Sequence, residues 1–172
     1  MTQGEHICLR CGRAGHVSAS CPLIIPSAGL IVGIDPGVHT GLAMWASSEK
    51  RLVEVKSCGI VEAMSQLEAC RAAIALIVME DARLRTWFGT SGREVLLGAG
   101  SVRRDCSIWT EWAERHSIPL RGISPQQKGA KLNADVFARI TGWKGKTNEH
   151  SRDAGVLALL GAKSNTRKAA HV

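Results

Sequence analysis

A mixed α/β fold, with a five-stranded sheet flanked by helices, is predicted by three observations. Two short and strongly apolar runs, LIVGID at 30–35 and ALIVME at 75–80, have the length of buried strands, and each ends in an acid. Stretches with strand and helix patterning follow one another in the order three strands, helix, strand, helix, strand and two helices, which suits a mixed sheet covered by helices. The 172 residues, 45% of them hydrophobic, suffice for one packed domain with a small module attached and need no disulfide framework.

Residues 1–22 are rich in cysteine, glycine and charge, and 23–29 read as a linker because Pro22, Pro26 and Gly29 interrupt regular structure. Leu30 to Asp35 is the first strand, broken by Pro36-Gly37. Residues 41–46 and 52–60 follow as strands joined by a polar turn at 47–50. A helix is expected over 65–75, with Leu67, Cys70, Ala73 and Ile74 along one face. The strand 75–79 runs into Glu80 and is followed by a loop carrying Trp87, Phe88 and Gly89. A long helix over 92–115, a strand at 120–123, and helices at 125–140 and 150–162 complete the domain, with a polar tail expected to fray. The expected division is therefore 1–22, a linker at 23–29, a main domain at 30–163 and a flexible tail at 164–172.

No run of eighteen apolar residues exists, and the first ten residues lack the apolar centre of a secretion signal. The expected location is the reducing cytoplasm. The net charge of +7 is uneven: residues 1–81 carry 6 basic and 8 acidic side chains, a net of −2, whereas 82–172 carry 16 and 7, a net of +9. A basic half of this kind suits a polyanionic partner.

Cys8, Cys11, His16 and Cys21 have the spacing C-x2-C-x4-H-x4-C, three thiolates and an imidazole suited to tetrahedral Zn²⁺. Gly12 and Gly15 sit where so small a unit must turn back on itself. This spacing resembles the zinc knuckles of retroviral nucleocapsid proteins. That resemblance implies a grip on single strands or unpaired bases, with Arg10 and Arg13 near phosphates, although this knuckle has no aromatic residue for base stacking. A purely structural or protein-binding knuckle is the other reading. Cys58, Cys70 and Cys106 stand among apolar neighbours and read as core residues.

The acids form a second constellation. Asp35 ends the first strand before a Pro-Gly turn that lets a ligand approach, and Glu80 ends the second apolar strand. Asp81 points to the opposite face from Glu80, so only one of the two enters a given site; Asp81 is expected in solvent or paired with Arg83 or Arg85. His150 and Asp153, three residues apart, share a helix face.

Together these pieces resemble the RuvC Holliday-junction resolvase family of the RNase H-like superfamily, over residues 30–162. The resemblance lies in Ile-Val-Gly-Ile-Asp-Pro-Gly with Thr40-Gly41-Leu42-Ala43, in Val78-Met79-Glu80, in Leu97-Gly98-Ala99-Gly100, in Ile123-Ser124-Pro125 with Lys128-Gly129-Ala130-Lys131, and in His150-Ser151-Arg152-Asp153-Ala154. It implies an RNase H-like fold, with Asp35, Glu80 and Asp153 as carboxylate ligands to two Mg²⁺ ions and His150 where many members have a fourth acid. Mn²⁺ is the expected substitute, since imidazole is a softer ligand. It implies a homodimer that makes paired nicks across a four-way junction, one ion activating water and the other stabilising the leaving 3′ oxygen. The family's aromatic wedge falls near Trp87 and Phe88, which read equally well as core or dimer contacts, and such members occur in bacteria and phages, where they meet the nucleoid. Lys128, Lys131, Arg83 and Arg85 are candidate phosphate contacts, as are Arg93, Arg103, Arg104, Lys144 and Lys146.

Three other readings compete. A debranching endonuclease of broad tolerance for flaps and forks shares the chemistry, and the added knuckle suits it. The Asp-x-Gly turn is also similar to the phosphate loop of actin-like ATPases, but those need two such domains. A non-catalytic nucleic-acid binder of the same fold would have no use for the full acidic set.

Overall fold

The computed structural model describes residues 28–85 and 93–169. The expected zinc ligands Cys8, Cys11, His16 and Cys21, and the rings of Trp87 and Phe88, lie outside the described residues.

Five strands form one sheet: β1 (Leu30–Asp35), β2 (Thr40–Ala46), β3 (Arg51–Cys58), β4 (Ile74–Glu80) and β5 (Leu120–Ile123), in the spatial order β3-β2-β1-β4-β5. The first three form an antiparallel meander, and β4 and β5 add in parallel, each reached through a helical connection. Among the described residues five α-helices accompany them: α1 (Ile60–Ala69), α2 (Arg93–Arg115), α3 (Pro125–Lys128), α4 (Ala134–Thr141) and α5 (Glu149–Ala169). This is an RNase H-like mixed sheet flanked by helices, as the sequence led us to expect. Among the described residues no helix is long and apolar enough to cross a membrane.

Strand alternation sorts the side chains into two cores. Leu30, Val32, Ile34, Leu42, Met44, Ile77 and Met79 point to one face, where they meet Ala63 and Leu67 of α1 and Cys106, Trp109 and Ala113 of α2. The intervening residues Ile31, Ala43 and Val78 face α5 through Ala154, Leu157 and Ala158, with Phe137 of α4 alongside. Asp35 and Glu80 are in phase with this second set.

Two strand glycines bring α5 close. A Cβ at Gly33 would overlap the backbone carbonyl of Ala154, and one at Gly41 would overlap that of His150. Glycine inside a strand marks such close approach of another backbone. Asn148 starts α5 by a reciprocal cap: its Oδ1 accepts from the Ser151 N–H at 2.9 Å, and its own N–H donates to Ser151 Oγ at 3.0 Å.

Three expected boundaries differ. The helix placed at 65–75 is α1, five residues earlier, because Gly59 ends β3 and its carbonyl accepts the first helical bond, from Ala63. Leu67, Cys70, Ala73 and Ile74 are all buried, but they are shared among α1, a 3-10 turn at Arg71–Ala73 and the start of β4. The helix expected over 125–140 is two. Gly129, at φ 89°, ends α3, and Asn133 caps α4 by accepting from the Val136 N–H at 2.9 Å. Finally, α5 continues to Ala169, seven residues past its expected end.

Candidate metal centre

The two strands that end in acids are neighbours, β1 beside β4, and parallel, so both deliver their last residue to the same rim of the sheet. Period-2 alternation then turns Asp35 and Glu80 toward the face that α5 covers. The first turn of α5 lies directly over this rim, because Gly33 and Gly41 allow it, and it supplies Asp153. The result is a cluster in which one carboxylate oxygen from each of Asp35, Glu80 and Asp153 lies within 4.8 Å of the others. Asp35 and Asp153 are buried and Glu80 is partly buried.

His150 stands at the edge of the cluster. Its Nδ1 is 2.9 Å from Asp35 Oδ2, and its side chain is 43% exposed, so its other ring nitrogen is the one left to face the cleft. His39, in the turn after β1, has its ring centroid 6.4 Å from that of His150. Sequence reasoning passed over His39, whose one signal was its place four residues after Asp35.

Lys128, a candidate phosphate contact from the sequence, has its side chain 7% exposed and its ammonium ion-paired with both Glu80 and Asp153, the latter at 2.6 Å. Burial alone would lower the lysine's pKa, but the bonds to Asp153 and Glu80 outweigh that and hold it above its ordinary value. The carboxyl of Asp35 moves the other way from a usual surface acid. Burial pushes it up to about 6, against the opposing pull of the His150 hydrogen bond and the Lys128 charge.

The remaining expected contacts are distributed around this centre. Lys131 is ion-paired with Glu149, whose carboxyl it holds below the usual range, and both line the mouth of the site. Arg83 is tied down elsewhere: it forks onto Asp81 at 2.8 Å through both Nε and Nη2, and Nη2 also donates to Thr110 on α2 at 2.9 Å. Asp81 is thus the paired acid that the alternation argument anticipated, buried on the opposite face from Glu80. Arg85 lines the cleft.

That cleft has a volume of about 340 Å³ and is bounded by the three acids, His150, Lys128 and Lys131, with Pro36, Pro125, Val102 and Gly98 as its apolar walls. The donor set fits a hard divalent cation. Three carboxylates converge with one ammonium between them, so negative charge is in excess, and oxygen-rich sites of this kind suit Mg²⁺ or Mn²⁺.

Fold and cluster together define a class: an RNase H-like α/β domain whose sheet rim gathers acids compatible with a divalent metal. Within that class, the chain is similar in fold to T. thermophilus RuvC in complex with a Holliday junction substrate, with a TM-score of 0.57 at 19% sequence identity, over 80% of this chain and 95% of that one. No family model matches the chain, and no curated protein matches it.

Proposed function

We propose that this protein is a metal-dependent, structure-selective endodeoxyribonuclease that resolves four-way DNA junctions by phosphodiester hydrolysis. The observation that carries the reading is the meeting of Asp35, Glu80 and Asp153 within 4.8 Å at the sheet rim, on a fold similar to that of a junction-bound resolvase. Asp35, Glu80 and Asp153 would hold the metal, with two Mg²⁺ ions as the full complement and Mn²⁺ as a substitute. A divalent cation bound there supplies Lewis acidity to a phosphodiester and to the attacking water.

The chain's own residues do the rest. Asp35 must be ionised to serve as a ligand, and the His150 hydrogen bond pulls it in that direction. His150 fixes the orientation of that carboxylate and presents its second nitrogen to ligand or water. Lys131 and Arg85, at the mouth of the cleft, are placed to meet the phosphates flanking the cut. Trp87 and Phe88 are the proposed wedge that opens the junction. Paired nicks require two centres, hence a homodimer. The segment 1–22, with one structural Zn²⁺ on Cys8, Cys11, His16 and Cys21, would add grip on unpaired strands, and the cytoplasm, alongside the nucleoid, is the proposed location.

The test is nicking of a matched set of four-way junctions, forks, flaps and linear duplexes in Mg²⁺, Mn²⁺ and Ca²⁺. Cutting of the four-way junction in Mg²⁺ and Mn²⁺, with binding alone in Ca²⁺, is expected. Equal cutting of forks and flaps would replace junction resolution with general debranching, and no cutting of any branched DNA would remove the proposal. Cys11→Ser is expected to weaken junction binding more than it slows cutting of bound substrate; unchanged affinity would take the knuckle out of DNA recognition.

A further inference from the structure

The ammonium of Lys128 sits among the carboxylates that would hold a metal. It bridges Glu80 and Asp153, two of the three carboxylates in the cluster, and sits 2.6 Å from Asp153 Oδ2. A divalent ion bridging those carboxylates would lie about 2.0–2.1 Å from its oxygens for Mg²⁺. Ammonium and ion would then contend for one small volume, and two cations packed there would repel.

The surrounding chain lets the lysine side chain move. Lys128 is the last residue of α3, a helix of a single turn, and Gly129 follows at φ 89°. Residues 129–133 have no helix or strand structure, and the segment is held by the Arg152 Nε bond to the Leu132 carbonyl at 2.7 Å and by the Lys131–Glu149 ion pair, so the movement required is that of the Lys128 side chain alone. The other end of α3 is anchored by the reciprocal cap of Ser124 and Gln127, which fixes where the segment starts. A four-carbon stem carried on such a turn can withdraw its ammonium into the adjoining cleft of about 340 Å³ without unfolding α5 or β4.

We propose that Lys128 is a built-in placeholder for the divalent cation. Its ammonium holds Glu80 and Asp153 together when metal is absent and is expelled into the cleft when metal binds. The inference rests on the metal-centre reading above and adds what that reading does not contain: an internal competitor that sets metal affinity and prevents mutual repulsion of the acids in the metal-free chain. Two like charges at this spacing would otherwise disfavour each other's ionisation.

The experiment uses the full chain and Mn²⁺ alone, with no DNA, and reads binding and chemical access rather than cutting. Mn²⁺ affinity is measured by electron paramagnetic resonance for the wild type and for Lys128→Met, which keeps the stem and removes the charge. The variant is expected to bind on the order of tenfold tighter or more. In parallel, acetylation of each lysine in the wild type is followed by mass spectrometry with and without saturating Mn²⁺. Lys128 is expected to label several-fold faster when metal is bound, while exposed Lys144 keeps its rate. Equal or weaker Mn²⁺ binding by a folded Lys128→Met would overturn the placeholder, as would unchanged Lys128 labelling in a chain that demonstrably holds Mn²⁺. If the variant does not fold, the wild-type labelling decides alone. Absence of Mn²⁺ binding by both proteins would remove the metal centre itself, a different failure from loss of the placeholder.

Discussion

Glu80 and Asp81 are consecutive acids at the end of β4, and the sheet sends them to opposite faces with different partners. Asp81 is enclosed by a guanidinium that forks onto it at 2.8 Å, and Arg83 is anchored in turn to Thr110 of α2. Its charge is matched one for one, and the Arg83 hydrogen bonds hold its carboxyl below the usual range. Glu80 shares a single ammonium with Asp153 and has Asp35 nearby, beside an open cleft. A matched acid is a fastener. A cluster with surplus negative charge and access to solvent is compatible with a divalent cation. The two faces of one strand end thus separate a closed ion pair from the proposed metal site.

The largest expected effect breaks this comparison directly. Glu80→Gln should lower four-way junction cutting by at least about 10²-fold while junction binding in Ca²⁺ persists. Asp81→Asn should leave single-turnover cutting within a few-fold of wild type and lower stability by about 1–3 kcal/mol, read from urea unfolding, because Arg83 loses its charged partner. Similar losses of cutting in both variants would erase the distinction.

A smaller effect concerns how the active face is assembled. Gly33→Val would force a side chain against the Ala154 carbonyl and should destabilise the fold by at least about 1–3 kcal/mol, with loss of cutting as α5 is pushed off the rim. Gly100→Ala, on α2 with nothing among the described residues near the added carbon, should instead stabilise by about 0.5–1 kcal/mol. Denaturant midpoints that move in the same direction for both would contradict this placement of α5.

The smallest effect is a difference of sign with pH. The folded pKa of Asp35 is raised to about 6, so in metal-free protein its contribution is favourable when protonated and is lost as pH rises from about 4 through about 6. The folded pKa of Asp81 is lowered, so its contribution is present above its unfolded value and is lost only as pH falls through the lowered one. Metal-free Asp35→Asn should therefore gain stability relative to wild type between pH 4.5 and pH 7, whereas Asp81→Asn should not. The same elevation means that Mn²⁺ affinity weakens as pH drops below about 6, where binding must displace the proton of Asp35.

Much of this was legible in the sequence because it depends on period and residue type. The runs at 30–35 and 75–80 are short and apolar enough to read as buried strands, and the alternation that separates Glu80 from Asp81 follows from strand geometry alone. His150 and Asp153 could be placed on one helix face by spacing. The location of Lys128 could not be read, because a lysine in a polar stretch reads as solvated until the tertiary fold sets acids around it. The start of α1 was hidden by Ile60 and Val61, whose β-branched side chains continue the strand pattern of β3 past Gly59. The end of α5 was hidden because residues 163–169 carry no apolar periodicity in the sequence. The strand glycines Gly33 and Gly41 were visible as letters, but the helix they admit was not.

The central claim is that Asp35, Glu80 and Asp153 together hold divalent metal, and the most direct measurement is anomalous diffraction from crystals of the protein soaked in Mn²⁺. It predicts a Mn²⁺ peak within coordination reach of carboxylate oxygens from Asp35, Glu80 and Asp153 together. A fully soaked crystal with no peak between these residues, or with its Mn²⁺ held elsewhere while Lys128 still bridges Glu80 and Asp153, would contradict it.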